Sequence, residues 1–210
     1  MRLMFWLAGT TLFLGLFAKL TQDIFEHDDL EKIDRAILLF AEKIRVPSFN
    51  GVAVDITALG SPTVITFVTV IGLLILWLKK DRGGAAYLAV NAIGTGFWTL
   101  IVKHIIGRDR PQIIPRLVEV SGQSYPSGHS LAAAAVYLSF MFIAYRSFKS
   151  TGDRIVLFIT VSSLIGVIGL SRIYLGVHYP SDVVSGVFLG FAWTFFLTGV
   201  FARVAEHSYP

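Results

Sequence analysis

The sequence predicts an all-α polytopic membrane protein, with six transmembrane helices and one short amphipathic helix lying at the membrane interface between the first two. Three observations carry this prediction. The 210 residues are 54% hydrophobic and only 15% charged, with a mean hydropathy of +0.68, against about 45–50% apolar and about 25% charged in an ordinary soluble domain. The apolar residues gather into six runs near the ~20 residues that a bilayer crossing requires. The longest connection, residues 19–61, carries helical periodicity in place of a continuous apolar run. This composition excludes a disordered chain. A dispersed net charge of +4 leaves no nucleic-acid footprint. Without cysteine there is no disulfide, no thiolate metal ligand and no cysteine nucleophile.

The expected spans are 3–20, 62–78, 85–102, 129–145, 155–172 and 183–202, making one integral-membrane domain over residues 1–210. Only Arg2 charges the start of the first run, and no small-x-small cleavage site follows Phe17-Ala18-Lys19. It therefore reads as a retained helix and not as a signal peptide. The interfacial helix is expected over about 30–45. There Ile33, Ile37, Leu38, Ala41 and Ile44 recur at helical spacing, while Asp34, Arg35, Glu42, Lys43 and Arg45 fall on other faces. The acidic cluster Asp28-Asp29-x-Glu31 suits its N-terminus. Pro47 and Gly60-Ser61-Pro62 punctuate the approach to the second span. That span reads PTVITFVTVIGLLILWL and stops at Lys79-Lys80-Asp81-Arg82. The last span has no charge. Its Gly186 and Gly190 are spaced for close helix contact in lipid, simple tolerance of glycine being the alternative.

Lysine and arginine in short loops set orientation. Arg2, then Lys79, Lys80 and Arg82, then Arg146, Lys149 and Arg154, then Arg203 fall on one side. The other side spreads a comparable total over longer loops. Both termini are therefore expected on the cytoplasmic side, and the short loops suggest a bacterial cytoplasmic membrane. Loops 19–61, 103–128 and 173–182 then face outward.

The polar residues with chemical potential collect at the ends of spans three to six, and alternation puts those ends on one membrane face. Lys103, Arg108, Arg110, Pro111 and Arg116 follow span three. Pro126-Ser127-Gly128-His129 opens span four, Ser171-Arg172 closes span five, and His178 to Asp182 lead into span six. Charges so near hydrocarbon pair, reach for the interface or serve a site. Lys103, Arg110 and Arg172 offer three cations from three segments, suited to phosphate. Ser127 reads as the N-cap of span four. The free N–H groups after it form an anion site, and Gly128 lets a ligand approach them. The start of span six at Pro180-Ser181 gives a second helix N-terminus. His178 and Asp182, four apart, can share a turn, so that the carboxylate fixes the imidazole tautomer. His129 lies beside the cradle, where it could protonate a leaving oxygen. A nucleophile, an acid and an electropositive cradle are what phosphate ester hydrolysis needs. Arg108 and Arg116 read as interfacial anchors. His27, His104 and His207 read as structural.

These residues carry a family resemblance. Lys103, six intervening residues, then Arg110-Pro111 resembles the first signature of the type 2 phosphatidic acid phosphatase family. Pro126-Ser127-Gly128-His129 resembles the second. Ser171-Arg172, five residues, His178, three residues, then Asp182 resembles the third. The resemblance implies that His178 attacks phosphorus and forms a phosphohistidine. Asp182 would orient it and His129 would protonate the leaving alkoxide. Lys103, Arg110 and Arg172 would hold the phosphoryl oxygens with Ser127 and Gly128. It implies no metal and no cofactor. It also implies a lipid phosphate substrate drawn from the bilayer: phosphatidic acid, phosphatidylglycerol phosphate or undecaprenyl pyrophosphate. Small outer loops suggest a permissive site. The alternatives are a phosphotransferase using the same phosphohistidine, and a non-catalytic lipid-binding or transport protein. Transporters often carry inverted repeats, and no repeat is evident here.

Overall fold

Eight α-helices and no strands make up the described residues, 2–26 and 28–207, of the computed structural model. They are α1 (Arg2–Glu26), α2 (Asp28–Lys43), α3 (Pro47–Ala58), α4 (Pro62–Leu78), α5 (Arg82–Ile106), α6 (Gly128–Tyr145), α7 (Thr151–Tyr174) and α8 (Pro180–His207). His27 lies outside the described residues, as does the side chain of His207. Five helices are long and apolar enough to cross a membrane: α1, α5, α6, α7 and α8. Helix α4, with 17 residues, does not reach that length by itself. It follows α3 across a 45° bend, and the pair together is long and apolar enough to count as a sixth candidate span.

Helix α3 is a departure from the sequence reading, which took Pro47 as punctuation. Proline is well placed at the first position of a helix, where its missing N–H is not needed, and Pro47 occupies that position in α3. The break between α3 and α4 falls at Gly60-Ser61. There the Ser61 hydroxyl accepts from the Val64 N–H at 3.3 Å and caps α4. Asp81 caps α5 through the Gly84 N–H at 2.8 Å. Gly107, at φ 64°, ends α5 with its N–H on the Lys103 carbonyl.

Helices α6 and α8 are the inner pair, and α1 packs along the outside of α8. Glycine brings the inner pair together. A Cβ on Gly186 would sit 2.6 Å from the Ser127 carbonyl oxygen, and one on Gly190 would sit 2.8 Å from both the Leu131 carbonyl oxygen and the Ala134 Cβ. Close packing is therefore their role. The outer helices turn large apolar side chains outward, such as Phe67 and Trp77 of α4, Ile93 of α5 and Phe158 of α7, as a lipid-facing surface requires.

Helix α2 is rotated relative to the expected stripe. Leu38 and Ala41 pack inward with Ile114, Ile173 and Val183, whereas Ile33, Ile37 and Ile44 stay exposed. Asp34, expected on a polar face, is 1% exposed. The reason lies at the start of α8 and belongs to the site.

Candidate active site

The ends of α5, α6, α7 and α8 meet, as alternation of spans requires, and a cavity of about 710 Å³ opens among them. Lys103, Arg110, Gly128, His129, Arg172 and His178 all line it. Two of the expected residues do not. The Ser127 side chain is fully buried and turned inward, where its oxygen accepts from the Ser130 hydroxyl at 2.9 Å and caps α6 through the Ser130 N–H. Asp182 stands behind His178.

Each cation is anchored by its neighbours. Lys103, in the last turn of α5, donates to the Gln123 carbonyl. Arg110 is held by main-chain oxygens of Gly122 at 2.9 Å, Ser121 at 3.1 Å and Val177 at 2.9 Å. Arg172 is 3% exposed and donates through Nη1 to the Thr57 hydroxyl of α3 at 2.7 Å, while its Nε has no partner. Among the described residues no carboxylate pairs with any of these three. A buried guanidinium with a spare donor is costly unless an anion satisfies it. The walls therefore call for an oxyanion. Farther along the helices the lining is mixed: Ile65 of α4, Ala92 and Leu100 of α5 and Ala132 of α6 stand beside the hydroxyls of Thr66, Thr95 and Thr99.

His178 occupies the short connection between α7 and α8 and is 2% exposed. Its Nδ1 faces the Asp182 Oδ2 at 3.4 Å and the Ser124 Oγ at 3.3 Å. Its Nε2 accepts from Arg110 Nη1 at 3.2 Å. This arrangement puts the proton on Nδ1 and leaves a lone pair on Nε2, toward the cavity. Burial pushes the imidazole down to about 4, against the pull of Asp182, and the charges of Arg172 and Arg110 push the same way as burial. The ring is thus neutral across the physiological range. Asp182 is the third residue of α8. Its Oδ2 accepts from the Tyr179 N–H at 2.9 Å, the reach-back of a capping box, and also from the Ser124 hydroxyl.

Three expectations need correction. Arg108 is no interfacial anchor. Its Nη1 donates at 2.7 Å to Asp182 Oδ1 and to the Ser181 hydroxyl, and its Nη2 donates to Asp34 Oδ2 at 2.9 Å. Two buried carboxylates hold it because each would otherwise be an unpaired charge. Burial works to lower its pKa, but Asp182 and Asp34 outweigh that and leave it raised. Arg116 is exposed, yet its head does not reach for the interface: it closes the loop on the Pro111 carbonyl. The N-terminus of α8 is not a free anion site either. The Ser181 N–H donates to Asp34 Oδ1 at 2.9 Å, so the protein's own carboxylates occupy it. The N-terminus of α6 remains, with the first N–H groups at Gly128 and His129 lacking intrahelical acceptors. Asp34, Ser124 and Thr57 were missed. Only Asp34 had a signal, since it lies four residues before Leu38 and seven before Ala41 on one stripe.

Comparison with known proteins follows the same lines. The family model described as PAP2 superfamily matches residues 84–205. Phosphatidylglycerophosphatase B of Bacillus subtilis (strain 168) is 33% identical over 190 residues, covering 89% of this chain and 92% of that protein. A lipid A 1-phosphatase of Rhizobium johnstonii is 34% identical over 130 residues, covering 56% of this chain and 48% of that protein. The crystal structure of a transmembrane PAP2 type phosphatidylglycerolphosphate phosphatase from Bacillus subtilis superposes with a TM-score of 0.87 at 26% identity, over 93% of this chain and 97% of that one.

Proposed function

The chain belongs to the PAP2 superfamily, and from that premise we propose that it is an integral-membrane lipid phosphate phosphatase working through a phosphohistidine on His178 and without a metal ion. The observation that carries this reading is the two-ended cavity. Lys103, Arg110 and Arg172 gather at one end with a buried, neutral imidazole, and farther along α4, α5 and α6 the lining carries Ile65, Ala92, Leu100 and Ala132 among threonine hydroxyls. A phosphorylated lipid has the same two ends.

The geometry supports the following course of reaction. The phosphate enters among Lys103, Arg110 and Arg172 and against the first N–H groups of α6. It draws Arg110 off the Nε2 lone pair and takes up the spare Nε donor of Arg172. Nε2 attacks phosphorus and the bond from phosphorus to the lipid oxygen breaks. His129 gives its proton to that oxygen, and the phosphate dianion helps to keep a protonated imidazole stable beside three cations. Asp182 accepts the Nδ1 proton's hydrogen bond and balances the positive charge on the phosphorylated ring. Water, deprotonated by the now neutral His129, then attacks phosphorus. The N–P bond breaks, and inorganic phosphate and free His178 result. The three cations stabilise the charge at each transition state, work that a divalent ion does in other phosphatases. Ser127 serves by capping α6 and fixing its N-terminus.

The substrate class is a membrane lipid phosphate. The likeness to the Bacillus subtilis phosphatidylglycerophosphatase B over most of both chains favours phosphatidylglycerol phosphate, with phosphatidic acid and undecaprenyl pyrophosphate as further candidates. Lys79, Lys80, Arg82, Arg146, Lys149 and Arg154 all lie at the opposite ends of the helices from the cavity. By the bias of positive loops toward the cytoplasm, the protein sits in a bacterial cytoplasmic membrane with its site on the outer face.

Phosphate release by purified protein in detergent with EDTA tests this. At least one of the three lipids should be hydrolysed by the wild type. His178→Ala, folded by its elution profile, should lose at least about 10³-fold, as enzymes do on losing a nucleophile. Strong EDTA inhibition reversed by magnesium would overturn the metal-free reading. Near-normal turnover by His178→Ala would overturn the nucleophile.

A further inference from the structure

Asp34 lies in the interfacial helix α2, 144 residues before His178 in a chain whose proposed catalytic and phosphate-holding residues fall between 103 and 182, yet it is 1% exposed and reaches the foot of the site. Its Oδ1 accepts the Ser181 N–H at 2.9 Å, one of the N–H groups that α8 cannot satisfy within itself. Its Oδ2 accepts the Ser181 hydroxyl and Arg108 Nη2. Arg108 spans from there to Asp182 Oδ1 at 2.7 Å, and its guanidinium carbon lies 4.0 Å above the Tyr179 ring. Oδ2 of Asp182 is left to the Tyr179 N–H, Ser124 and His178 Nδ1.

We propose that Asp34, acting through Arg108 and Ser181, is a positioning residue for Asp182, so that the interfacial helix is part of the hydrolytic machinery. The inference rests on the reading of His178 and Asp182 given above. The physical logic is one of orientation and charge. Arg108 alone would leave a cation beside Asp182 and draw negative charge away from His178. Asp34 returns that charge and fixes the plane of the guanidinium, so that one oxygen of Asp182 is clamped and the other turns to the imidazole. Groups that orient metal-binding histidines from behind are commonly worth about 10–100-fold, and the same kind of orientation is at stake at His178. A purely structural network is the competing reading.

The pH profile separates the two. His178 shares its cavity with Lys103 of α5, Arg110 and Glu119 of the loop, His129 of α6 and Arg172 of α7, and has Asp182 of α8 behind it; Arg108 acts on it through Asp182, and Asp34 of α2 through Arg108. Removing the charge of Asp34 makes this field more positive, and removing that of Arg108 makes it more negative. In Asp34→Asn, kcat on a lipid phosphate should fall about tenfold or more with KM little changed, and the acid limb of kcat/KM should move to lower pH. In Arg108→Gln the limb should move to higher pH. The double variant should bring it back toward the wild-type position. If Asp34→Asn does not fold, Arg108→Lys decides: it keeps the charge and loses the two-sided fork, so kcat should fall about tenfold with the limb unmoved. Limbs that stay put in both charge-removing variants, or kcat within twofold of wild type in the folded ones, would overturn the proposal. Inactivity of the wild type itself on every lipid would instead defeat the hydrolase reading on which it stands.

Discussion

At His178, burial and three nearby charged side chains, Asp182, Arg172 and Arg110, compete over one proton. Burial dominates and holds the ring neutral down to about pH 4, although Asp182 favours the protonated form. The consequence for rate follows from the sign. On the proposed mechanism only the neutral ring attacks, so titration of His178 should cause no loss of kcat/KM as pH falls through the ordinary imidazole range near 6.5. Acid-side loss from this group should come only toward its folded value of about 4. A pH profile on a monophosphate lipid, corrected for ionisation of the substrate, checks this. An acid limb centred near 6.5 would mean that His178 is more solvated or more strongly paired than its 2% exposure allows. At this scale the sequence was a good guide to which residues gather, where short spacings carry the information. Lys103, Arg110, Gly128, His129, Arg172 and His178 line one cavity, and the four-residue step from His178 to Asp182 produces the contact it suggested. It was a poor guide where a side chain works through another element. Nothing local links Asp34 to Ser181, or Thr57 to Arg172.

The helices were legible where apolar runs are long and capped. The starts of α4, α5, α6 and α7 fall on Ser61, Asp81, Ser127 and Ser150, each a side chain that accepts from the first turn. Helix α3 was missed because Pro47 read as punctuation, although proline at the first position favours a helix. The rotation of α2 was missed for a different reason. Apolar spacing cannot tell a face that meets protein from one that meets lipid, since both are apolar. The glycines of α8 are a case where sequence left two readings and packing decides. At Gly190 an added methyl would meet the Leu131 carbonyl oxygen and the Ala134 Cβ at 2.8 Å, with main chain on one side that cannot give way. Gly190→Ala should therefore cost roughly 1–3 kcal/mol and lower the midpoint of thermal inactivation in detergent. Gly166 of α7 has nothing within 4 Å of its Cβ position. Gly166→Ala is the control and should hold or raise that midpoint, since alanine is the better helix former. Equal midpoints for the two variants would contradict the packing role of Gly190.

Across the whole molecule the chain divides its charge by depth. One end of the bundle holds the cationic cavity together with the buried Asp34, Arg108 and Asp182 network. The other end holds the short basic loops at 79–82 and 146–154. Between them the outer helices present an apolar wall, and the inner pair α6 and α8 carries the close contacts. The cavity spans both regimes, from Arg172 down to Ile65 and Ala92. A substrate can therefore place its phosphate among cations while its chains stay in hydrocarbon. The layout was readable in advance because hydropathy sets the number of crossings, and the number of crossings sets which helix ends share a face. The bend between α3 and α4 was not, since a broken span has the same composition as a straight one. The most direct test of the central claim is to stop the reaction on a lipid labelled in its phosphate after a brief incubation with purified protein, under alkali. An acid-labile, alkali-stable label should appear on the peptide that holds His178 and be missing from His178→Ala. Label on any other residue, or steady hydrolysis with unlabelled protein at every quench time, would contradict it.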